Sequence, residues 1–192
     1  MRKVEVTRKT KEVDITLELD VDGKGNADVK TGIKFLDHIL VTLAKHSLFD
    51  LKVKADGDLT HHTSEDVALV LGEALNKATN KGKGIKRFGS AHVPMDESLA
   101  RATVDLGGRP YSIRNLRLMQ TQIEDLKTED IEHFFDSLAQ AAKANIHITV
   151  LYGSNEHHKV EAAAKALALA LRHALEVESR IGDRVPSAKG VL

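Results

Sequence analysis

The chain has 192 residues, of which 42% are hydrophobic and 29% are charged, as in soluble globular proteins. Its formal net charge is zero, so no overall field draws it to nucleic acid or to a membrane surface, and no apolar run approaches the roughly 18 residues of a membrane span. It has no cysteine, which excludes disulfides, thiolate metal sites and a cysteine nucleophile, and we expect a cytoplasmic protein.

The first part of the chain combines strand and helix patterns. Alternating polar and apolar residues predict the strands, and apolar residues at helical spacing predict the helices. The predicted elements are strands over residues 2–8 and 12–21, a helix capped by Thr31 that ends near His46, a strand over 48–55 and a helix from about His62 to Asn80. Glycines at 82 and 84 close this part.

The second part repeats this order. It predicts strands over 86–95 and 98–106, a helix over 129–144, a strand over 146–152 and a helix over 156–179. Residues 182–192 show no periodicity. We therefore predict an α+β fold of two duplicated strand-strand-helix-strand-helix halves, residues 1–85 and 86–181, which pack about a pseudo-dyad into one compact domain. The tail, residues 182–192, is expected to complete the active site.

A His-His-x-x-Glu motif occurs once in each half, at residues 61–65 and 157–161. The two motifs are 96 positions apart, and His133 follows His38 by 95 positions. A single His-His pair at a helix start is usually a cap or a solvated surface feature. Two copies at matching positions of a duplicated unit instead indicate a metal centre, because histidine is the commonest protein metal ligand.

Helix geometry indicates two ions. Residues three or four apart share a face, whereas adjacent histidines point about 100° apart and do not easily serve one ion. Our hypothesis gives each ion four ligands, with other positions open for substrate or water. One set is His61, Glu65, His133 and His158, and the other is His157, Glu161, His38 and His62. His92, His147 and His173 are assigned to packing or to the surface, and His46, two turns after His38 on the same helix, is expected at the edge of the site but not as a ligand.

Several basic or hydroxyl-bearing residues are candidates for binding an anionic substrate, since arginine binds phosphate through a fork and lysine as a point charge. They are Arg87, Arg109, Lys165, Ser187 and Lys189. Taken singly, each is more often an ordinary surface residue. The tail that carries two of them would either close a site in its own or a neighbouring subunit, or be disordered.

The motifs together resemble the imidazoleglycerol-phosphate dehydratase family over nearly the whole chain. The matching segments are TGIKFLDH (31–38), HHTSED (61–66), RFG (87–89), PMDE (94–97), GRPY (108–111), EHFF (132–135), NEHHKVEA (155–162) and PSAKGVL (186–192). The resemblance implies a fold like domain 2 of ribosomal protein S5. It also implies a lyase of histidine biosynthesis that converts D-erythro-imidazole glycerol phosphate to imidazole acetol phosphate.

The resemblance further implies two Mn²⁺ ions per active site, other divalent transition metals being possible, bound by the eight residues named above. The substrate would bind them as an imidazolate. Glu12 matches a substrate-contacting glutamate and is the candidate acid–base residue, and Glu65 and Glu161 are assigned to catalysis with it. The five basic and hydroxyl-bearing residues match substrate-contacting positions. The implied assembly is a homo-oligomer of 24 subunits built from trimers, with active sites at the subunit interfaces.

The chain departs from the family pattern in two places. The segment before His61 lacks residues, often acidic, that many members carry, and Ala188 stands where serine or threonine is usual. Two other functions remain open on the residues alone. One is a metal-storage oligomer, which would not need Arg87, Arg109 or Lys189, and the other is a metal-dependent hydrolase of a phosphorylated small molecule.

Overall fold

Two four-stranded sheets of identical topology form the framework of this computed structural model, which describes residues 2–192. The first sheet contains β1 (Lys3–Lys9), β2 (Val13–Asp20), β3 (Ala27–Lys30) and β4 (Asp50–Gly57) in the order β1-β2-β4-β3. The second contains β5 (Phe88–Met95), β6 (Ser98–Asp105), β7 (Tyr111–Asn115) and β10 (Asn145–Tyr152) in the order β5-β6-β10-β7. In each sheet only the last pair is parallel.

Four helices lie between the two sheets: α1 (Lys34–Ser47), α2 (Thr60–Ala78), α3 (Thr128–Ala142) and α4 (Glu156–Leu175). The helix α2 packs on β1, β2 and α3, while α4 packs on β5, β6 and α1. Each helix pair therefore joins the two halves. Along β2, the side chains of Ile15, Leu17 and Leu19 are fully buried under the helices, and the residues between them face outward.

Glycine allows α2 and α3 to approach closely. A Cβ atom built on Gly72 of α2 would lie 2.6 Å from the Cβ of Ala141 and 2.7 Å from the carbonyl oxygen of Leu138, both on α3. Neither distance is compatible with a side chain, so glycine is required by the contact rather than by its backbone angles. This contact fixes the spacing of two helices that carry candidate metal ligands.

The α+β fold and its duplication are confirmed, and each half has one more strand in its sheet than the sequence pattern predicts. The additional strands β3 and β7 are short parallel edge strands with mostly exposed residues, so they lack the alternation that identifies a half-buried strand. A small hairpin of β8 (Gln122–Ile123) and β9 (Leu126–Lys127) is also not predicted.

Several predicted helix ends differ from the observed ones by two to four residues, and for two of them the structure shows a cause. The helix α1 begins at Lys34, because Thr31 bonds through its hydroxyl to Asp37 instead of capping the helix. The helix α4 ends at Leu175, four residues early. The guanidinium of Arg2 donates to the Leu175 carbonyl at 2.7 Å, and Val177 then forms an antiparallel bridge. Among residues 2–192, no helix is both long and apolar enough to cross a membrane.

Candidate metal centre

The first ligand group lies between α1 and α4. His157 and Glu161 lie one turn apart on α4, and His38 approaches them from α1. The Nε2 atom of His38 is 3.0 Å from Oε2 of Glu161, and Nε2 of His157 is 3.3 Å from the same oxygen. The three candidate ligand atoms lie within 4.8 Å of one another, so one ion can contact all of them.

The second group repeats this arrangement between α2 and α3. His61 and Glu65 lie one turn apart on α2, and His133 approaches from α3. The Nε2 atom of His133 is 3.3 Å from Oε1 of Glu65, and Nε2 of His61 is 3.7 Å from Oε2. Each group thus takes two ligands from one half of the chain and the third from the other half.

Carboxylates orient one histidine in each group. The Nδ1 atom of His61 is 2.6 Å from the buried carboxylate of Asp130, and Nδ1 of His157 is 3.1 Å from the carboxylate of Glu124. A carboxylate on Nδ1 fixes the ring and leaves Nε2 free for a metal, which is the usual arrangement around metal-binding histidines. Two imidazoles and one carboxylate fit Mn, Fe, Co, Ni or Zn ions.

His62 and His158 belong to neither group within the chain. The Nδ1 atom of His62 is 2.8 Å from Asp58, and Nδ1 of His158 is 2.7 Å from Glu97. These carboxylates raise the pKa of both histidines, chiefly through the hydrogen bonds. The structure thus brings together three of the four ligands predicted for each ion, and the fourth stays a prediction. Asp58 supplies an acidic neighbour even in the shortened segment before His61.

Lys165 lies against Glu161 on the next turn of α4, with its Nζ atom 2.7 Å from Oε1. Burial alone would raise the pKa of Glu161, but the hydrogen bonds and charges of Lys165 and His38 outweigh it and lower the pKa to about 2. Lys165 therefore keeps this ligand ionised. Within the chain it contacts a candidate metal ligand, and the substrate contact that the family resemblance implies stays a prediction.

Glu12 lies in the turn between β1 and β2, at the edge of the site. Its side chain is exposed, and its Oε2 atom is 4.0 Å from Nδ1 of His62. The turn between β5 and β6 places Glu97 similarly, but Glu97 also accepts hydrogen bonds from the backbone nitrogens of Ser154 and Asn155. Glu97 is therefore engaged in fixing the start of α4, and its hydrogen bond with His158, followed by that from the Asn155 backbone, lowers its pKa strongly.

The other predicted anion-binding residues do not meet either group within one chain. The backbone nitrogen of Arg87 bonds to the Ala174 carbonyl at the last turn of α4, about 25 Å along that helix from His157. Its guanidinium donates to Asp105 and to the Pro186 carbonyl, at 2.7 and 3.0 Å. The same end of the molecule holds Arg109 and the tail with Ser187 and Lys189, because the chain terminus packs against Gly82 and Gly108.

The four histidines that are not predicted ligands lie outside both groups. His46, His92, His147 and His173 are all exposed. Sequence reasoning assigned no role to the carboxylates of Asp58, Glu97, Glu124 and Asp130. Only Glu97 had a signal, since it stands in a strand turn of the second half as Glu12 does in the first.

The chain is similar to known proteins over its full length. A family model described as imidazoleglycerol-phosphate dehydratase matches residues 31–171. Proteins of that name from Caldanaerobacter subterraneus subsp. tengcongensis and Methanosarcina mazei are 51% and 48% identical, each alignment covering all of both chains.

Two solved structures are similar as well. The imidazoleglycerol-phosphate dehydratase of Staphylococcus aureus superposes with a TM-score of 0.84 at 34% identity, covering 92% of this chain and 99% of that one. The enzyme of Pyrococcus furiosus superposes with a TM-score of 0.84 at 38% identity, covering 97% of this chain and 100% of that one.

Proposed function

Because the chain belongs to the imidazoleglycerol-phosphate dehydratase family, we propose that its two histidine–carboxylate groups hold a pair of divalent ions at which the substrate's imidazole ring binds. The chain is accordingly an enzyme, a hydro-lyase that dehydrates imidazoleglycerol phosphate in histidine biosynthesis. The observation that carries the metal proposal is the equivalence of the two groups on the two helix pairs. Family membership leaves the storage oligomer and the hydrolase without support.

The reaction breaks a poorly acidic C–H bond and expels hydroxide. Divalent ions bound at the two groups would supply Lewis acidity, which would stabilise the negative charge that the substrate's imidazole ring takes up when the C–H bond breaks. His38, His157 and Glu161 would hold one ion, and the equivalent residues of α2 and α3 would hold the other. Lys165 keeps Glu161 ionised, so this ligand is ready to bind.

Glu12 is the proposed acid–base residue. It is not part of either ligand group, and its exposed carboxylate lies beside His62, a predicted fourth ligand. A carboxylate that lies beside a predicted metal ligand without belonging to a ligand group is suited to move a proton on the bound substrate. Glu97, its counterpart in the second half, is held by His158 and by the start of α4, which leaves Glu12 as the free one of the two.

Neighbouring subunits complete the site in this proposal. His62 and His158 turn away from the groups of their own chain, and Arg87 bonds to Ala174, about 25 Å along α4 from His157. A homo-oligomer of 24 subunits built from trimers, with interfacial active sites, would bring these residues to a neighbour's ions. The phosphate would then be bound by Arg87, Arg109, Ser187 and Lys189. Mn²⁺ as the metal and the cytoplasmic location stay predictions.

Conversion of imidazoleglycerol phosphate by Mn²⁺-loaded protein, followed at the ketone of the product, tests the proposal. Glu12→Gln should lower kcat by roughly 10²- to 10⁴-fold, the usual contribution of a positioned acid–base group, while metal content stays unchanged. Glu5→Gln, in the same strand pair and equally exposed, is the control and should turn over normally.

Two outcomes contradict the proposal. Absence of turnover by the wild-type chain at full Mn²⁺ occupancy would remove the metal-dependent mechanism. Loss of bound metal in the Glu12→Gln variant would give Glu12 a structural role instead of a catalytic one.

A further inference from the structure

The connection between β7 and α3 is much longer than the equivalent connection in the first half of the chain. In the first half, β3 and α1 are joined by residues 31–33 alone, whereas residues 116–127 separate β7 from α3 in the second half. This longer segment contains the β8–β9 hairpin and buries Leu116, Ile123 and Leu126. It is therefore a packed structure and not a loose loop.

A buried ion pair anchors the segment to the start of α4. Lys159 and Glu156 lie 2.6 Å apart, and each side chain is only 6% exposed. Glu156 accepts a hydrogen bond from the Met119 backbone nitrogen at 2.9 Å, and Lys159 donates to the Arg117 carbonyl at 2.9 Å. Because removing one partner of a buried pair is costly, these bonds fix the segment beside His157.

Asp125 of this segment caps α1 from a distance. The residue at the cap position, Ile33, provides no side-chain hydrogen bond. The carboxylate of Asp125 instead accepts from the backbone nitrogens of Lys34 and Phe35, at 2.7 and 2.9 Å. These are the first residues of α1, and His38 follows on the next turn. The position of Asp125 thus determines where α1 begins, and with it where His38 lies.

Glu124, the neighbour of Asp125, contacts the other helix of the ligand group, α4. Its backbone has a φ of 52°, and its carboxylate lies 3.1 Å from Nδ1 of His157 on α4. Adjacent residues therefore contact both helices of one ligand group. The same segment also leads into α3, whose first residue Thr128 donates to the carbonyls of Thr121 and Gln120. The carboxylates of Glu124 and Asp125, however, contact α4 and α1, and in the other group Asp130 of α3 orients His61 directly.

We propose that residues 116–127 form a brace that sets His38 against His157, and that Glu124 and Asp125 are positioning residues for the α1/α4 ion only. The inference rests on the proposed metal centre. It implies that the two ions, although bound by equivalent ligands, depend on different supports and can be weakened separately.

Mn²⁺ titration of metal-free protein, followed by electron paramagnetic resonance of the free ion, tests the brace. Glu124→Ala should weaken one of the two Mn²⁺ sites per chain by about 10- to 100-fold and leave the other unchanged. This is the usual effect of removing a residue that hydrogen-bonds to a metal ligand. Glu124→Gln keeps a carbonyl acceptor and should recover part of the affinity. Asp125→Ala should weaken the same site, and Asp125→Asn should restore it, since asparagine caps helices as well as aspartate does.

Single-group backgrounds identify the affected site. Glu124→Ala should still weaken binding in a His133→Ala background, where only the α1/α4 group is intact. It should have no effect in a His38→Ala background. Glu129→Gln, an exposed change that removes only a contact with Lys127, is the matched control and should leave both sites unchanged.

The brace would be overturned if Glu124→Ala weakened both Mn²⁺ sites equally. It would also be overturned if the Glu129→Gln control weakened Mn²⁺ binding as much as Glu124→Ala does. Histidine ¹⁵N spectra of the metal-free protein separate its failure from that of the proposed function. Glu124 should hold the His157 proton on Nδ1, and Glu124→Ala should shift that proton toward Nε2. If the His157 spectrum is the same in the wild-type chain and in Glu124→Ala, the brace is overturned. If the spectrum does change in Glu124→Ala but the wild-type chain binds no Mn²⁺, only the metal centre is overturned.

Discussion

Adjacent histidines have different partners in this chain, and their direction determines what each can do. His61 joins the ligand group of α2 and α3, while His62 turns to Asp58. The same division separates His157 from His158 on α4. Because consecutive helix residues point about 100° apart, one member of each pair faces its own group and the other faces away. This direction fits the proposed assembly, in which His62 and His158 bind the ions of neighbouring subunits.

The contact between Lys165 and Glu161 predicts a pH effect. Lys165→Met removes the charge that opposes burial, so the pKa of Glu161 should rise from about 2 toward or above its ordinary value. A lowered carboxylate pKa favours the ionised form, and this advantage is lost as pH falls through that pKa. The variant should therefore lose Mn²⁺ affinity at a higher pH than the wild-type chain, as calorimetric titrations from acidic to neutral pH would measure.

Lys77→Met is the control for this prediction, because Lys77 forms an exposed pair with Glu73 at the same spacing on α2. It should leave the pH dependence of metal binding unchanged. If Lys165→Met raises only the KM for substrate and leaves Mn²⁺ affinity intact at every pH, Lys165 is a substrate contact, as the family resemblance implies.

The ligands on one helix could be predicted from their spacing. The carboxylates that orient the histidines could not, because they lie far from them in the sequence. His61 and Glu65 are four positions apart, so the pattern of a single helix identifies them. Their orienting partners come from other elements: Asp130 is 69 positions from His61, and Glu97 is 61 from His158. No local pattern records such contacts. The two halves also had to be compared before His38 and His133 could be recognised as equivalent.

At the scale of elements, six of the eight strands of the two main sheets and all four helices were predictable, whereas the short parallel edge strands β3 and β7 were not. The strand β2 is paired on both sides and buried on one face, which produces strict alternation. The strands β3 and β7 each pair with a single neighbour and expose most of their residues. Their extended conformation depends on β4 and β10, which are distant in sequence, and a local pattern does not report it.

Asp50, at the start of β4, holds the turn that leads into β3. Its carboxylate accepts hydrogen bonds from the backbone nitrogens of Lys24 and Asn26, both at 2.9 Å, and the bonds from Asn26 and Lys24 lower its pKa. Asp50→Ala should destabilise the fold by roughly 1–2 kcal/mol at neutral pH, since it leaves these donors without their acceptor. Urea unfolding at several pH values measures the effect.

The sign of the pH dependence follows from the lowered pKa. Asp50 stabilises the fold above its ordinary pKa and loses that contribution as pH falls through its lower folded value. Asp50→Asn keeps an acceptor without the charge, so its difference from the wild-type chain should shrink in acid. A difference that stays constant or grows as the pH falls would contradict this assignment.

At the scale of the whole molecule, both ligand groups span the boundary between the halves. His38 of the first half meets His157 and Glu161 of the second, and His133 of the second half meets the ligands of α2. Without metal, the halves are held by helix packing such as the close contact at Gly72. An ion in either group would add bonds to both halves at once and would favour their native arrangement.

Mn²⁺ should therefore raise the unfolding temperature of the chain. An ion that binds only the folded state adds about 2.7 kcal/mol at a free concentration 100 times its dissociation constant. Calorimetric unfolding with and without a chelator, at fixed protein concentration, measures the difference. His38→Ala should remove about half of it, because one group keeps all three ligands. Ca²⁺, which prefers oxygen ligands, should stabilise far less. If Mn²⁺ binds fully and the unfolding temperature does not move, the ions do not join the two halves.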